Sequence, residues 1–212
     1  MVEGKSIVFV VDDDPSIRES LSLLLSSAGY SVATFASAKE FLESEHSTSG
    51  PACLVLDVKM PGLSGLDLQQ ELTSMNYIIP VIFLTGHGDI PMSVQAMKKG
   101  AIDFLSKPFD DDELLDAVKV ALLMNSQALV NLNEKKHIMQ RIGSLTAREH
   151  EILTYLITGM LNKQIAYELK ISERTVKAHR KQVFDKMSVN SIAELVRLTE
   201  KVDVKPAAPG DK

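Results

Sequence analysis

The stretch Ser6-Ile7-Val8-Phe9-Val10-Val11-Asp12-Asp13-Asp14-Pro15 decides the fold. A short run of β-branched and aromatic residues has the length of a buried strand and stops abruptly on three acids. Pro15 sits where the first turn of a helix tolerates proline. The stretch therefore reads as strand, acidic turn, helix, and the pattern repeats outward. Ser31–Phe35, Cys53–Asp57, Ile79–Leu84 and Ala101–Leu105 read as further strands beside Ser6–Val11. Helical spacing falls between them, over Pro15–Ala28, Ala38–Glu45, Leu66–Met75 and Pro91–Lys99, with Gly29 and Gly100 just past two helix ends. Strands alternating with helices predict a parallel sheet covered on both faces, with right-handed connections.

Length and charge set the outer limits. The 212 residues allow one large or two small domains, and a 45% hydrophobic, 24% charged composition is that of a folded globular chain. No apolar run approaches the roughly 20 residues of a spanning helix, and the first apolar run ends too soon on aspartates to be a secretory signal. A lone cysteine, Cys53, excludes an internal disulfide and a multi-cysteine zinc site. These features predict a soluble cytoplasmic protein with no membrane partner. The net charge of −5 is an average over opposed halves: residues 1–139 carry 10 Lys+Arg against 19 Asp+Glu (net −9), and residues 140–205 carry 12 against 8 (net +4). Such asymmetry points to two domains with different partners.

A helical pattern opens on Asp110-Asp111-Asp112-Glu113, acids suited to a helix N-terminus. Leu115, Val118, Leu122, Asn125, Leu129, Leu132, Lys136 and Met139 follow at alternating spacings of three and four. Two readings fit. One is an amphipathic helix that packs on the sheet and trails into a polar linker; the other is a helix whose later half forms a dimeric coiled-coil seam, with Asn125 and Lys136 setting register. Beyond it, residues 144–200 carry no strand pattern and read as four short helices. Thr146 with Glu149 makes a capping box for 147–158, Asn162 caps 163–169, Ser172 caps 173–187, and Ser191–Glu200 closes the set. The tail from Val202 onward reads as disordered.

Ligands of an open parallel sheet bind beyond the carboxyl ends of its strands. Those ends carry Asp12 and Asp13, Asp57, Thr85 and, two residues past the fifth strand, Lys107. Three carboxylates in one crevice repel one another and call for a hard divalent cation, with Mg²⁺ the natural oxygen-ligand choice. Lysine and threonine opposite them can hold an oxyanion, a set that suits phosphoryl transfer to an aspartate.

Val11-Asp12-Asp13, Leu56-Asp57-Val58-Lys59-Met60-Pro61-Gly62, Leu84-Thr85-Gly86 and Lys107-Pro108-Phe109 together resemble the receiver domain of two-component response regulators. Thr85-Gly86-His87-Gly88-Asp89 and Met97-Lys98-Lys99-Gly100-Ala101 are similar to the FixJ/TodT subgroup. The resemblance implies a flavodoxin-like (βα)5 fold in which Asp57 accepts the phosphoryl group from the phosphohistidine of a sensor histidine kinase. It implies Mg²⁺ ligation by Asp13, Asp57 and the Lys59 backbone carbonyl, with Asp12 acting through water. Lys107 would neutralise a phosphoryl oxygen, beside a cis bond before Pro108. Thr85 would turn its hydroxyl onto the phosphoryl group, Phe104 would follow inward, and Gly86 would keep access open. Lys59 and His87 would flank the site and set the decay rate of the phosphoryl group.

Residues 162–187 have the spacing of helix, turn, helix. Lys177, Arg180, Lys181 and Lys186 fall largely on the outer face of the second helix, opposite Val176 and Val183. A helix that buries one side and offers Lys and Arg on the other suits the major groove, and the same pattern fits a solvated helix. Leu145-Thr146-Ala147-Arg148-Glu149, Asn162-Lys163-Gln164-Ile165-Ala166 and Ser172-Glu173-Arg174-Thr175-Val176-Lys177-Ala178-His179 resemble the LuxR/FixJ-type helix-turn-helix. That resemblance makes 173–187 the recognition helix, with Lys177, Ala178 and Lys181 nearest base edges. It puts Lys163, Arg174, Thr175 and His179 on the phosphate side. Met160-Leu161 departs from the polar residues usual before the Asn-Lys pair, as an interface with the receiver or a second subunit would.

The expected organisation is a receiver over 1–125, a helical linker over 126–142, an all-α four-helix domain over 143–203 and a disordered tail over 204–212. The expected function is a response regulator rather than an enzyme. Phosphorylation of Asp57 would control dimerisation, through the surface of Pro91–Val118, and sequence-specific DNA binding. The outcome would be regulated transcription, in the direction of activation, with RNA polymerase as a further partner. Two rivals remain. A phosphatase resembling the haloacid dehalogenases would want an acid where Lys59 stands and would not need residues 143–200. A phosphorelay module would use its helical domain to bind a protein instead of DNA.

Overall fold

The structure, a computed structural model, describes residues 5–44, 50–86 and 101–207. The chain divides into two compact units, with the boundary between Val130 and Asn131.

The first unit holds five parallel strands: β1 (Ile7–Val11), β2 (Ser31–Phe35), β3 (Ala52–Asp57), β4 (Val81–Thr85) and β5 (Asp103–Ser106), in the order β2-β1-β3-β4-β5. Among the described residues the helices are α1 (Pro15–Ser27), α2 (Ala38–Glu43) and α3 (Gly65–Ser74), then α4 (Asp111–Gly143) after β5. The period of two along each strand sends alternate residues to opposite faces. From β1, Phe9 and Val11 join a core with Phe41, Leu54, Leu56, Leu68 and Phe83, while Val8 and Val10 join Leu25, Val55, Ile82, Leu114 and Val118. With both faces covered, the central strands read as continuous apolar runs. The strand order reverses between β1 and β3, so their carboxyl ends, carrying Asp12, Asp13 and Asp57, flank the crevice at the switch point.

Several boundaries shift for local reasons. β4 starts at Val81 rather than Ile79, because Pro80 has no N–H for the ladder and contributes only its carbonyl, which accepts from Leu54. β5 runs Asp103–Ser106 instead of Ala101–Leu105. The helix expected over Pro91–Lys99 and the loop residue His87 lie outside the described residues.

The long helix α4 buries the first half of its apolar pattern and exposes much of the later half. Val118, Leu122 and Asn125 are buried against the sheet, whereas Leu132 and Met139, in the later half where a seam would lie, are 49% and 55% exposed. Asn125 does not set a helix register: its Oδ1 accepts the Ala52 N–H at 2.9 Å and its Nδ2 donates to the Ile78 carbonyl at 2.9 Å. The segment 126–142, expected as a helical linker, lies within α4, and from Asn131 it belongs to the second unit, where Ile138 is a core residue.

That second unit continues with α5 (Ala147–Leu156), α6 (Asn162–Glu168), α7 (Glu173–Met187) and α8 (Ile192–Glu200) around Ile138, Leu153, Leu156, Ile165, Val176, Val183 and Leu195. Thr146 and Glu149 form the expected capping box, and Ser172 and Ser191 cap α7 and α8. Asn162 is not a cap. It opens α6 as its first residue, Leu161 occupies the cap position without a side-chain acceptor, and Gln164 Oε1 accepts the Leu161 N–H at 2.8 Å. Of the tail expected to be disordered, residues 202–207 are described: Val202 and Val204 pack on this core, and the Ala207 N–H reaches the Thr154 carbonyl at 3.0 Å. Among the described residues no helix is long and apolar enough to cross a membrane.

Candidate functional site

At the ends of β1, β3 and β5, Asp12 and Asp57 meet the Lys107 ammonium. Lys107 Nζ donates to Asp12 Oδ2 at 2.7 Å and to Asp57 Oδ1 at 2.7 Å, drawing together residues 95 and 50 positions away. Asp12 is 2% exposed and Asp57 is 6% exposed, so both carboxylates have given up most of their water and need such partners. Each has a second donor from its own loop: the Asp14 N–H to Asp12 Oδ1 at 2.9 Å, and the Lys59 N–H to Asp57 Oδ2 at 2.8 Å. Asp13 is exposed beside them. Asp14 is the N-cap of α1, accepting from the Ser16 N–H.

The electrostatics follow from burial. Desolvation holds the Asp57 carboxyl above its ordinary value, and the repulsion of Asp12 adds to it; the hydrogen bond and charge of Lys107 and the Lys59 N–H pull the other way without cancelling it. Burial pulls the Lys107 ammonium down, but the hydrogen bonds and charges of Asp12 and Asp57 outweigh that and raise it. Lys107 is therefore a fixed positive charge, and Asp57 is a carboxylate whose negative form is costly.

The walls are formed by Thr85, Gly86 and Phe104. Thr85 is 1% exposed at the end of β4, and its carbonyl accepts the Lys107 N–H at 2.6 Å. Gly86 is exposed, and a Cβ built there meets nothing within 4 Å. Phe104, on β5, packs its ring 6.3 Å from that of Phe83. The Lys107-Pro108 bond is cis. Cys53 lies in the core, where burial pushes its thiol up to about 12 and leaves it inert.

Mg²⁺, which the resemblance implies, is testable against this donor set. Asp12, Asp13 and Asp57 are hard oxygen donors, the chemistry that such a cation seeks. Among the described residues no three acidic, histidine or cysteine side chains converge closely enough to hold an ion, and the Lys107 ammonium lies between Asp12 and Asp57. The donor types fit the cation.

Two residues near this site were not singled out from the sequence. Arg18, one turn into α1, donates from Nη1 to the Asp12 carbonyl at 2.7 Å. Gly65 opens α3 against the loop after β3 and donates its N–H to the Val58 carbonyl at 3.1 Å.

In the second unit, α7 buries Val176, Val183 and Met187 and exposes Arg174, Lys177, Ala178 and Lys181. Thr175 and His179 are half-buried, and Lys163 is exposed on α6. The Thr175 N–H donates to the capping Ser172 hydroxyl at 3.1 Å. Lys177 pairs with Glu173 at 3.2 Å on the surface. Two basic residues expected on the outer face are instead tied inward. Arg180 donates to Asn162 Oδ1 at 3.2 Å and lies 5.2 Å above the Phe184 ring, and Lys186 donates to Glu149 Oε2 at 2.6 Å and to the Ser144 carbonyl at 3.1 Å. The free basic face is therefore narrower than sequence spacing implies.

A buried aspartate bridged to lysine lies at the switch point of a parallel sheet, and a helix with exposed basic residues lies on a second unit, two sites of opposite charge on one chain. Residues 8–119 match the response regulator receiver domain, and residues 143–199 match the bacterial regulatory proteins of the luxR family. The response regulator protein TodT of Pseudomonas putida is 46% identical over 202 residues, covering 95% of this chain and 88% of its own length. Nodulation protein W of Bradyrhizobium diazoefficiens is 48% identical over 200 residues, covering 94% and 88%. Among solved structures, the response regulator StyR superposes with a TM-score of 0.82 at 50% identity, covering 93% of this chain and 99% of that one. Full-length FixJ from B. japonicum gives 0.56 at 39% identity, covering 96% and 98%. The chain belongs to the LuxR-family response regulators, transcription regulators under phosphorylation control.

Proposed function

We propose that Asp57 is the phosphoryl acceptor and that a sensor histidine kinase is the donor. The observation that carries the reading is the Lys107 ammonium lodged between Asp12 and Asp57. An Asp57 oxygen attacks phosphorus, the P–N bond of the kinase phosphohistidine breaks, and the imidazole leaves with the electron pair. Burial makes the bare Asp57 carboxylate costly, and formation of the acyl phosphate moves the negative charge from the carboxyl oxygens onto the phosphoryl oxygens, where Lys107 can meet it. Asp13, Asp57 and the Lys59 carbonyl would hold Mg²⁺, with Asp12 acting through water; when bound, the ion supplies charge neutralisation for the transferring phosphoryl oxygens. Lys107 then exchanges its carboxylate contact for a phosphoryl oxygen. Thr85 offers its hydroxyl to the same group, Gly86 leaves the approach open, and Phe104 follows Thr85 inward. This shifts the receiver between two pre-existing states.

The phosphorylated state is read as a homodimer that places two α7 helices in successive major grooves. Lys177, Ala178 and Lys181 face base edges, while Lys163, Arg174, Thr175 and His179 serve the phosphates. The organisation that supports this is a phospho-acceptor domain over 1–125 joined through the helical stretch 126–142 to the DNA-binding domain over 143–203. DNA and the kinase are the direct partners, RNA polymerase is the downstream one, transcription is activated, and the protein works in the cytoplasm without catalysing turnover of a substrate.

Incubation of the full chain with acetyl phosphate and Mg²⁺ tests the acceptor. One phosphoryl group is expected by intact mass, absent in Asp57→Asn; undiminished labelling of that variant would remove the assignment.

A further inference from the structure

We propose that Arg18 is a positioning residue for the acidic loop, setting the peptide plane between Asp12 and Asp13 and so aiming the Asp13 carboxylate at the cation. The inference rests on the proposal that Asp13 and Asp57 hold Mg²⁺.

Asp12 is held at every polar atom. Its N–H donates to the Phe35 carbonyl of β2 at 3.2 Å, its Oδ1 accepts the Asp14 N–H, and its Oδ2 accepts Lys107. The carbonyl is the remaining group, and Arg18 Nη1 takes it at 2.7 Å. Side chains of a helix point back toward its N-terminus, which is how a residue in the first turns of α1 reaches the loop before it. The Asp12 carbonyl belongs to the peptide unit whose N–H is that of Asp13. A planar peptide moves as one piece, so fixing that carbonyl fixes the direction in which Asp13 leaves the loop.

Asp13, unlike Asp12, is exposed, and among the described residues nothing on its own side chain accounts for a fixed aim. Three consecutive carboxylates at Asp12, Asp13 and Asp14 repel one another, and without a tether on the backbone the loop would relax by splaying them. A cationic donor on a backbone oxygen opposes this without occupying any carboxylate oxygen. It acts as the partners of metal-ligating residues do elsewhere, where loss of an outer contact weakens the site although no ligand is removed.

The sign of the effect separates positioning from simple charge. A guanidinium beside a cation site repels the cation, so if Arg18 acted only through its charge, neutralising it would tighten Mg²⁺ binding. If it positions Asp13, neutralising it weakens binding.

The test is calorimetric titration of Mg²⁺ into the full unphosphorylated chain, comparing the parent with Arg18→Met, Arg18→Gln, Arg18→Lys and Asp13→Asn, with urea midpoints measured alongside. Arg18→Met is expected to weaken Mg²⁺ binding by about tenfold. Arg18→Gln, a milder change that keeps a donor, covers the case in which Arg18→Met does not fold, and it too should bind more weakly than the parent. Arg18→Lys, which keeps both charge and donor, should recover most of the affinity. Unchanged or tighter binding in the neutral variants, with Asp13→Asn weakened, overturns the role of Arg18 alone. Unchanged binding in Asp13→Asn overturns the underlying cation assignment.

Discussion

Gly65 stands against the backbone of Asp57: a Cβ at position 65 would lie 2.2 Å from the Asp57 carbonyl oxygen and 3.1 Å from its carbon. No side chain fits this approach without moving one of the two segments. Gly65→Ala should therefore destabilise the first unit by about 1–3 kcal/mol, the usual cost of overpacking. It should also slow acetyl phosphate labelling, because the atom displaced belongs to Asp57, the proposed acceptor. Urea denaturation and the labelling rate check the two effects. A labelling rate equal to the parent's would mean that the loop yields without moving Asp57.

Asp57 also gives stability a pH dependence with a definite sign. Burial first, then Asp12, holds its carboxyl above the ordinary 3.8 in the folded protein. The folded state thus keeps the proton more tightly than the unfolded chain. The stabilisation from the neutral form is complete below 3.8 and is lost as pH rises through the folded value. Asp57→Asn, neutral at every pH, should be more stable than the parent at pH 7, with the gap closing in acid. Equal urea midpoints at pH 7 would show that the contacts of Lys107 and Lys59 compensate the burial fully.

The fold was largely legible because its signals are local. Apolar runs, Pro15 at a helix start and the acidic turn at Asp12–Asp14 mark β1, α1 and the crevice in sequence order. Other features depend on distant partners. Asn125 fits a three-four repeat as well as any seam residue, and only its bonds to Ala52 and Ile78 reveal an anchor of α4 to the sheet. Gly65 carries no local mark, since its constraint comes from Asp57 across the loop. Arg180 and Lys186 have the spacing of groove-facing residues, and the length of their side chains lets them turn back to Asn162 and Glu149.

Those inward contacts predict a division of labour on α7. Lys181→Ala should weaken DNA binding by about 1–3 kcal/mol if the side chain makes a bidentate base contact, with stability unchanged. Lys186→Ala should instead act on stability. The Lys186 hydrogen bond, with that of the Thr146 N–H, holds the Glu149 carboxyl below its ordinary 4.5. The contribution of this pair is present above pH 4.5 and is lost as pH falls through the folded value. Helicity followed through an acid titration should therefore fall at higher pH in Lys186→Ala than in the parent. Coincident titration curves would place Lys186 elsewhere in solution.

The most direct measurement is capture of genomic DNA fragments by the full chain, with and without acetyl phosphate in Mg²⁺, for the parent and Asp57→Asn. The account predicts that phosphorylated parent enriches a limited set of fragments sharing two half-sites about one helical turn apart. Asp57→Asn should give the same weak capture under both conditions. Equal capture by parent and variant, unaltered by acetyl phosphate, would contradict the claim that chemistry at Asp57 governs the basic helix.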